Sequence, residues 1–333
     1  MSAPVLHISS SPHAFEGDSI PRIMWGVVLA LAPATAWGLY AFGWRAAWVT
    51  VVAVAGCVAT EAGVQALRGR PITVSDGSAA LTGLLLALNL PATSPWWMVL
   101  LGSVVAIVLG KQVFGGLGQN PFNPALVARV LLLVSFPVQM TDWVVPGGAL
   151  ADALTGATPL GEAKTAALAA GGLGAVAAKL DFWRLAVGLQ GGCIGEVSAL
   201  GLLVGAAFLF YRRIITWDIP LGFLVATVVV TGAAWGVAPE RYLAPWIHVV
   251  TGGLILGAFF MATDMVTSPL NRKGRWLFGV GCGVLTGVIR LWGGYPEGVS
   301  FSILLMNAAV PLIDRATKPR KFGLVAQSSK GRP

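Results

Sequence analysis

The chain has 333 residues, of which 56% are hydrophobic and only 11% charged, with a formal net charge of +8. Soluble domains carry about 25% charged residues, so this composition excludes a water-soluble fold and points to a protein whose solvent is lipid. The basic residues lie at the ends of apolar runs rather than along one face, which excludes a nucleic-acid-binding role.

Residues 1–23 form a polar tail containing Pro12 and Pro21. No small-residue cleavage site follows the first apolar run, so no cleavable signal peptide is expected. The apolar runs then come in order: 24–44, 48–67, 78–90, 96–114 and 124–137. A longer, more polar stretch, 138–196, separates them from 197–210, 219–237, 246–262, 276–291 and 299–313, and a basic tail, 314–333, follows. A span needs roughly 20 residues, and the runs at 78–90 and 124–137 fall short of it. The expected fold is an all-α integral membrane protein with about ten transmembrane helices. Its organisation is a first five-helix half (24–137), a connecting loop (138–196) and a second five-helix half (197–313).

Lysine and arginine set the orientation. Counting alternate loops with the N-terminus in the cytoplasm places fifteen of them on that side and six on the other, with Arg129 inside a helix. That bias predicts that both termini are cytoplasmic and that the 138–196 loop is periplasmic. Five helices per half is an odd number, so the halves must be inverted. The runs opening at Thr82-Gly83 and Thr251-Gly252, and closing at Thr93-Ser94-Pro95 and Thr267-Ser268-Pro269, are a weak internal echo of such a repeat. Inverted repeats with interrupted helices are one way to build a central site; close packing of Gly-rich helices is the plainer reading.

Several segments could carry chemistry. In Asp152-Ala-Leu-Thr155-Gly156-Ala157-Thr158-Pro159-Leu160, the proline disfavours a helical Thr158. An extended, small-residue segment with an exposed Thr158 hydroxyl is expected, open to a modifying enzyme; a plain Thr/Gly/Ala/Pro turn is the simpler alternative. In Asn120-Pro-Phe-Asn123-Pro, two prolines break helix hydrogen bonding. Asn120 and Asn123 then either line a polar cavity for a flavin or cation, or cap the next helix. Glu61 lies inside an apolar run, with Arg68 or interfacial water as its expected partner, and Asp76 and Asp264 sit at helix ends where capping competes with a cavity role. Gly115-Gly-Leu-Gly118 lacks both the GxGxxG spacing and the GK[ST] ending of nucleotide loops. Cys57, Cys193 and Cys282 are scattered, too few for an iron–sulfur cluster that takes about four thiolates, and are expected to pack as small apolar residues. His7, His13 and His248 form no metal or haem pair, and no metal site is expected.

Thr155-Gly-Ala-Thr158-Pro-Leu in the loop between the fifth and sixth helices resembles the flavinylation site of the RnfD/NqrB family. Gly115-Gly-Leu-Gly-Gln-Asn120-Pro-Phe-Asn123-Pro-Ala, Ser75-Asp76-Gly-Ser-Ala-Ala-Leu-Thr82-Gly and Ala262-Thr-Asp264-Met-Val-Thr267-Ser-Pro extend the resemblance from about residue 21 to 318. Chain length and the single long loop look like the RnfD branch. The resemblance implies a bacterial inner-membrane component of the Rnf complex, an ion-translocating ferredoxin:NAD oxidoreductase and thus a translocase. Its expected partners are the A, B, C, E and G components of that complex and an FMN transferase. It implies FMN joined to Thr158 by a phosphoester, with Asp152, Thr155, Gly156 and Ala157 around it, and a second, non-covalent flavin, riboflavin. Asn120, Asn123, Asp264 and Asp76 are the candidates for a flavin or ion cavity. No catalytic side chain is assigned. A solute or ion channel without a redox role is the competing class.

Overall fold

A computed structural model of the chain describes residues 19–144, 156–168, 176, 180–188, 190–196, 198–295 and 297–318. These residues are helical or irregular, with no extended strand among them, so the chain is an all-α membrane protein. Helix α1, Ile20–Phe42, starts where the Ser19 side chain accepts Arg22 N–H, and ends at Gly43, whose φ of 63° turns the chain directly into α2, Trp44–Leu67. Only glycine adopts that backbone region without strain. One residue therefore makes the connection that the apolar runs place at 45–47. Helix α3, Ser78–Leu88, begins beside Asp76, which accepts the Ser78 N–H at 2.8 Å, and stops at Asn89, short of a full span. Helix α4, Trp96–Ile107, continues as a π-helical turn, Val108–Gln112. Helix α5, Pro124–Ser135, carries Asn123 as its N-cap.

Three short helices follow: α6 (Pro137–Met140), α7 (Pro159–Leu168) and α8 (Phe182–Val187). The 138–196 stretch is not all loop, because its last residues belong to the bundle. Gln190 and residues 191–196 are buried, and the Ile194 and Gly195 N–H groups donate to the Leu90 and Leu88 carbonyls at 3.1 and 2.8 Å. These bonds satisfy the backbone that the end of α3 leaves open inside the bundle, which lipid could not do.

The second half comprises α9 (Ala199–Tyr211), α10 (Asp218–Val237), α11 (Pro245–Val250), α12 (Leu254–Leu256) with a π turn at Gly257–Met261, α13 (Arg272–Trp292) and α14 (Val299–Ala316). All ten expected runs are therefore helical, but the eighth is interrupted at Thr251-Gly252-Gly253, where both glycines have positive φ. The two Thr-Gly pairs are not equivalent: Thr82 and Gly83 lie inside α3, whereas Thr251 and Gly252 form this break. Four helices, α1, α2, α10 and α14, are each long and apolar enough to cross a membrane. Exposed Val51, Leu101, Val204 and Val229 turn outward, as side chains facing lipid do.

Helices α1 and α9 run in opposite directions, with Gly26 beside Ile214, Ala30 beside Gly205 and Gly38 beside Ile194. One end of the bundle, the tail side, gathers Ile23, Ser78, Ile214 and Asp264; the other, the loop side, gathers Thr93, Asp142 and Trp97 against Phe136. Small residues let the backbones meet. A Cβ on Gly205 would collide with the Ala30 carbonyl, so glycine there is what locks α9 to α1 across the halves, and one on Gly283 would collide with the Phe223 carbonyl in the α10–α13 contact.

Candidate functional site

Three polar clusters are buried along the bundle. The first lines a cavity on the tail side, where Ser78, Thr82, Lys111, Asn120, Asn123 and Asp264 face the apolar Leu85, Phe259 and Phe260. Both π turns contribute to its wall, a backbone form that concentrates at functional sites. Asn123 does two jobs. Its oxygen caps α5 by accepting Ala125 N–H at 3.1 Å, and its amide donates to the Met261 carbonyl at 3.3 Å. Asn307, with its amide turned to suit its neighbours, accepts Asn123 N–H at 3.2 Å and donates to the Thr267 carbonyl at 3.1 Å. Asn120 donates to the Phe122 carbonyl. Asp264 accepts from Val266 N–H and the Thr267 hydroxyl, both at 3.2 Å. The structure therefore brings Asn120, Asn123 and Asp264 together. Asp76 is outside this group, its carboxylate holding the first turn of α3 through Ser78 N–H and Oγ.

Behind the cavity wall, Glu61 is buried and saturated. Lys111 Nζ lies 2.7 and 2.9 Å from its two oxygens, and Gln65 and Gln112 amides add further bonds. Arg68, the expected partner, donates instead to the Gln112 carbonyl at 2.6 Å. Lys111 also donates to Ser78 Oγ at 2.6 Å. The sequence does carry a signal for this pair: a carboxylate buried in an apolar helix needs a cation, and Lys111 lies within an apolar run of its own.

The second cluster lies between the halves. Arg129 of α5 donates to Asn89 Oδ1 at 2.5 Å, to Glu196 at 3.4 Å and to Glu297. Cys193 is part of this network, its thiol donating to the Asn89 carbonyl at 3.2 Å, so packing alone does not describe it. Arg129 stands out in the sequence as a charge inside a helix, but nothing local indicates that its carboxylate partners lie 67 and 168 residues further along the chain.

The third cluster is on the loop side and contains Thr158, the last residue of the Thr-Gly-Ala-Thr motif. Asp152 and Thr155 lie outside the described residues. Gly156 donates to the Trp143 carbonyl at 3.0 Å, and Ala157 is exposed. Thr158 overturns one expectation, because it is only 6% exposed. Its hydroxyl caps α7 by accepting Gly161 N–H at 3.1 Å. Proline after Thr158 does keep that residue out of the helix, but it does so by making Thr158 the N-cap and Pro159 the first helical residue, an arrangement proline favours. Pro159 has no N–H and Thr158 accepts those of Gly161 and Glu162, so it is the helix dipole that favours negative charge at this position, with the Glu162 carboxylate in the same turn opposing it. Gly161 leaves space beside the hydroxyl, since a Cβ there would lie 3.1 Å from Thr158 Oγ1. Helix α7 is docked on the bundle through Leu160 and Ala163, which pack with Leu185, Leu243 and Ile247. Lys164 donates to the Gly293 and Tyr295 carbonyls beyond α13. Its partial burial lowers the ammonium pKa from the ordinary lysine value. Arg290, buried in α13, holds the break in the eighth run by donating to the His248, Thr251 and Gly252 carbonyls at 2.5, 3.0 and 2.8 Å. Leu160 and Arg290 both abut Gly252, so the first turn of α7, which Thr158 caps, packs on that break.

The chain is similar to known proteins over nearly its whole length. The NQR2, RnfD, RnfE family matches residues 7–323. The D component of the Na(+)-translocating ferredoxin:NAD(+) oxidoreductase complex of Acetobacterium woodii is 49% identical, covering 96% of each chain. Its counterpart in the proton-translocating ferredoxin:NAD(+) oxidoreductase complex of Clostridium ljungdahlii is 46% identical, again over 96% of each. The D component of the ion-translocating oxidoreductase complex of Stutzerimonas stutzeri is also 46% identical, over 95% of each.

Proposed function

Because this chain belongs to the NQR2, RnfD, RnfE family, we propose that it is the D-type membrane component of an ion-translocating ferredoxin:NAD oxidoreductase and that it carries FMN as a phosphoester on Thr158. The observation that carries the reading is the placement of the Thr-Gly-Ala-Thr motif: its second threonine sits at the N-terminus of the ten-residue α7. The residues suit the group. A phosphodiester keeps one negative charge, which the N-terminal dipole of α7 favours, and Gly161 leaves room beside the ester oxygen. Bound there, FMN supplies reversible electron transfer at its ring system. The protein contributes position: Thr158 holds the tether, Leu160 and Ala163 seat the helix, and the break held by Arg290 lies beneath.

In the same reading the tail side is cytoplasmic and the loop side periplasmic, in a bacterial inner membrane. The cavity of Asn120, Asn123 and Asp264 takes the second, non-covalent flavin or a cation, and the other Rnf components and an FMN transferase are the partners. A channel without redox chemistry would account for the interrupted helices, but it gives Thr158 and its helix no task.

Thr158→Val removes the nucleophilic oxygen and keeps the shape. Made alongside its transferase, wild-type protein should fluoresce as a flavoprotein after denaturing electrophoresis, and Thr158→Val should be dark. Peptide mass spectrometry should place a single FMN on Thr158, and Thr155→Val serves as the neighbouring control. Full labelling of Thr158→Val would remove the site.

A further inference from the structure

The acceptor hydroxyl is out of reach in the docked state. Thr158 is buried and its oxygen already accepts the Gly161 N–H, whereas Ala157 beside it is exposed. Among the described residues, the polar tie between the body of α7 and the bundle is Lys164, whose ammonium spans to the carbonyls of Gly293 and Tyr295. Those carbonyls follow the end of α13 and attract a cation through the helix dipole. The rest of the docking is a small apolar patch centred on Leu160 and Ala163. A short helix held by a patch of five buried apolar residues and one ammonium is a unit of low local stability.

We propose that Lys164 is the positioning residue of the attachment site: it latches α7 to the turn after α13, and Thr158 is modified only while that latch is open. The proposal rests on the reading of Thr158 as the FMN acceptor. In the open state the Thr158 oxygen attacks the phosphorus of a pyrophosphate-linked flavin nucleotide. The new bond is oxygen to phosphorus, the bond that breaks is the anhydride P–O, the nucleotide remainder leaves as a phosphate, and the hydroxyl proton passes to a base of the transferase. No electrons change hands in that step. Closing the latch afterwards returns Leu160, two residues beyond the tether, to its place against Gly252. The latch has a further connection. Glu297, which bonds Arg129 between the halves, lies two residues beyond Tyr295, so one turn receives both the Lys164 contact and the central ion pair.

The latch can be measured without flavin. The native cysteines are all buried, so a cysteine introduced into the full-length chain in opened membranes reports its own exposure to a water-soluble maleimide. Thr158→Cys should react slowly and Ala157→Cys quickly. Adding Lys164→Met should raise the Thr158→Cys rate about tenfold, the effect of removing about 1.4 kcal/mol of docking, while leaving Ala157→Cys unchanged; Lys164→Arg should restore slow reaction. With Thr158 intact, Lys164→Met should also take up FMN from the transferase faster than wild type. A Thr158→Cys that reacts as fast as Ala157→Cys while Lys164 is present, or one unaffected by Lys164→Met, would overturn the latch. If the maleimide results hold while wild type takes no FMN at Thr158, the latch stands and the cofactor assignment fails.

Discussion

Lys111 on the tail side and Arg290 on the loop side are both buried cations near the end of a helical run, one in each half of the chain, and they are neutralised in different ways. Lys111 is matched by a full carboxylate, and both oxygens of Glu61 accept from it. Arg290 forms no carboxylate hydrogen bond among the described residues; it rests on three backbone carbonyls, in the longer-range field of Glu196 and Glu297. Most of the buried polar atoms without partners among the described residues also lie toward the loop side, including both ring nitrogens of His248, Arg290 Nε, Glu297 Oε1 and Gln190 Oε1, while Arg275 Nε is one on the tail side. A saturated ion pair fixes one geometry, whereas carbonyls at a break can be re-paired when the segment shifts. The tail-side cation is thus held by a carboxylate in a fixed pair, and the loop-side cation, on the side that bears Thr158, by the carbonyls of a break.

The largest expected effect comes from breaking the saturated pair. Glu61→Gln leaves Lys111 charged in the bundle and should destabilise the chain by about 3–5 kcal/mol, read as a drop in unfolding temperature in detergent. Adding Lys111→Met to Glu61→Gln should recover much of that loss. Failure to recover would mean that Lys111 and Glu61 do not act as a pair. Arg290→Met should cost less, about 1–3 kcal/mol, because the freed carbonyls carry only partial charge. It should also loosen the loop side, raising maleimide reaction at Thr158→Cys. A loss as large as that of Glu61→Gln would erase the distinction between the two sides. Asn123→Leu should be mildest, about 1–2 kcal/mol through the lost cap. By the proposed reading it should lower coupled electron transport, as should Asp264→Ala, with covalent FMN retained in both. Normal transport rates would leave these residues as caps alone.

All ten apolar runs are legible in the sequence, because length and hydropathy are local properties and lipid penalises exceptions strongly. Their interruptions are not. Gly252 and Gly253 adopt positive φ inside what reads as a continuous apolar run, and glycine is common enough in membrane helices to pass unnoticed. Thr158 stands out by its motif, yet its burial does not. Proline after it excludes a helical conformation at Thr158 but equally favours a helix beginning at Pro159, and only the packing of Leu160 and Ala163 decides between an open segment and a docked cap. The partners of Glu61 and Arg129 depend on which helices neighbour each other, which hydropathy does not encode.

The bonds from Ile194 and Gly195 to the carbonyls of Leu90 and Leu88 have a consequence for biogenesis. The acceptors are synthesised about a hundred residues before the donors, which at 5–20 residues per second is an interval of roughly 5–20 s. Throughout it, the Leu88 and Leu90 carbonyls lack the donors they have in the folded chain, each costing several kcal/mol if left to lipid. The insertion machinery must shelter them until the ribosome has delivered the segment leading into α9. A nascent chain halted between the two halves is therefore an unfinished product with an exposed polar defect, the kind of substrate that membrane quality-control proteases remove.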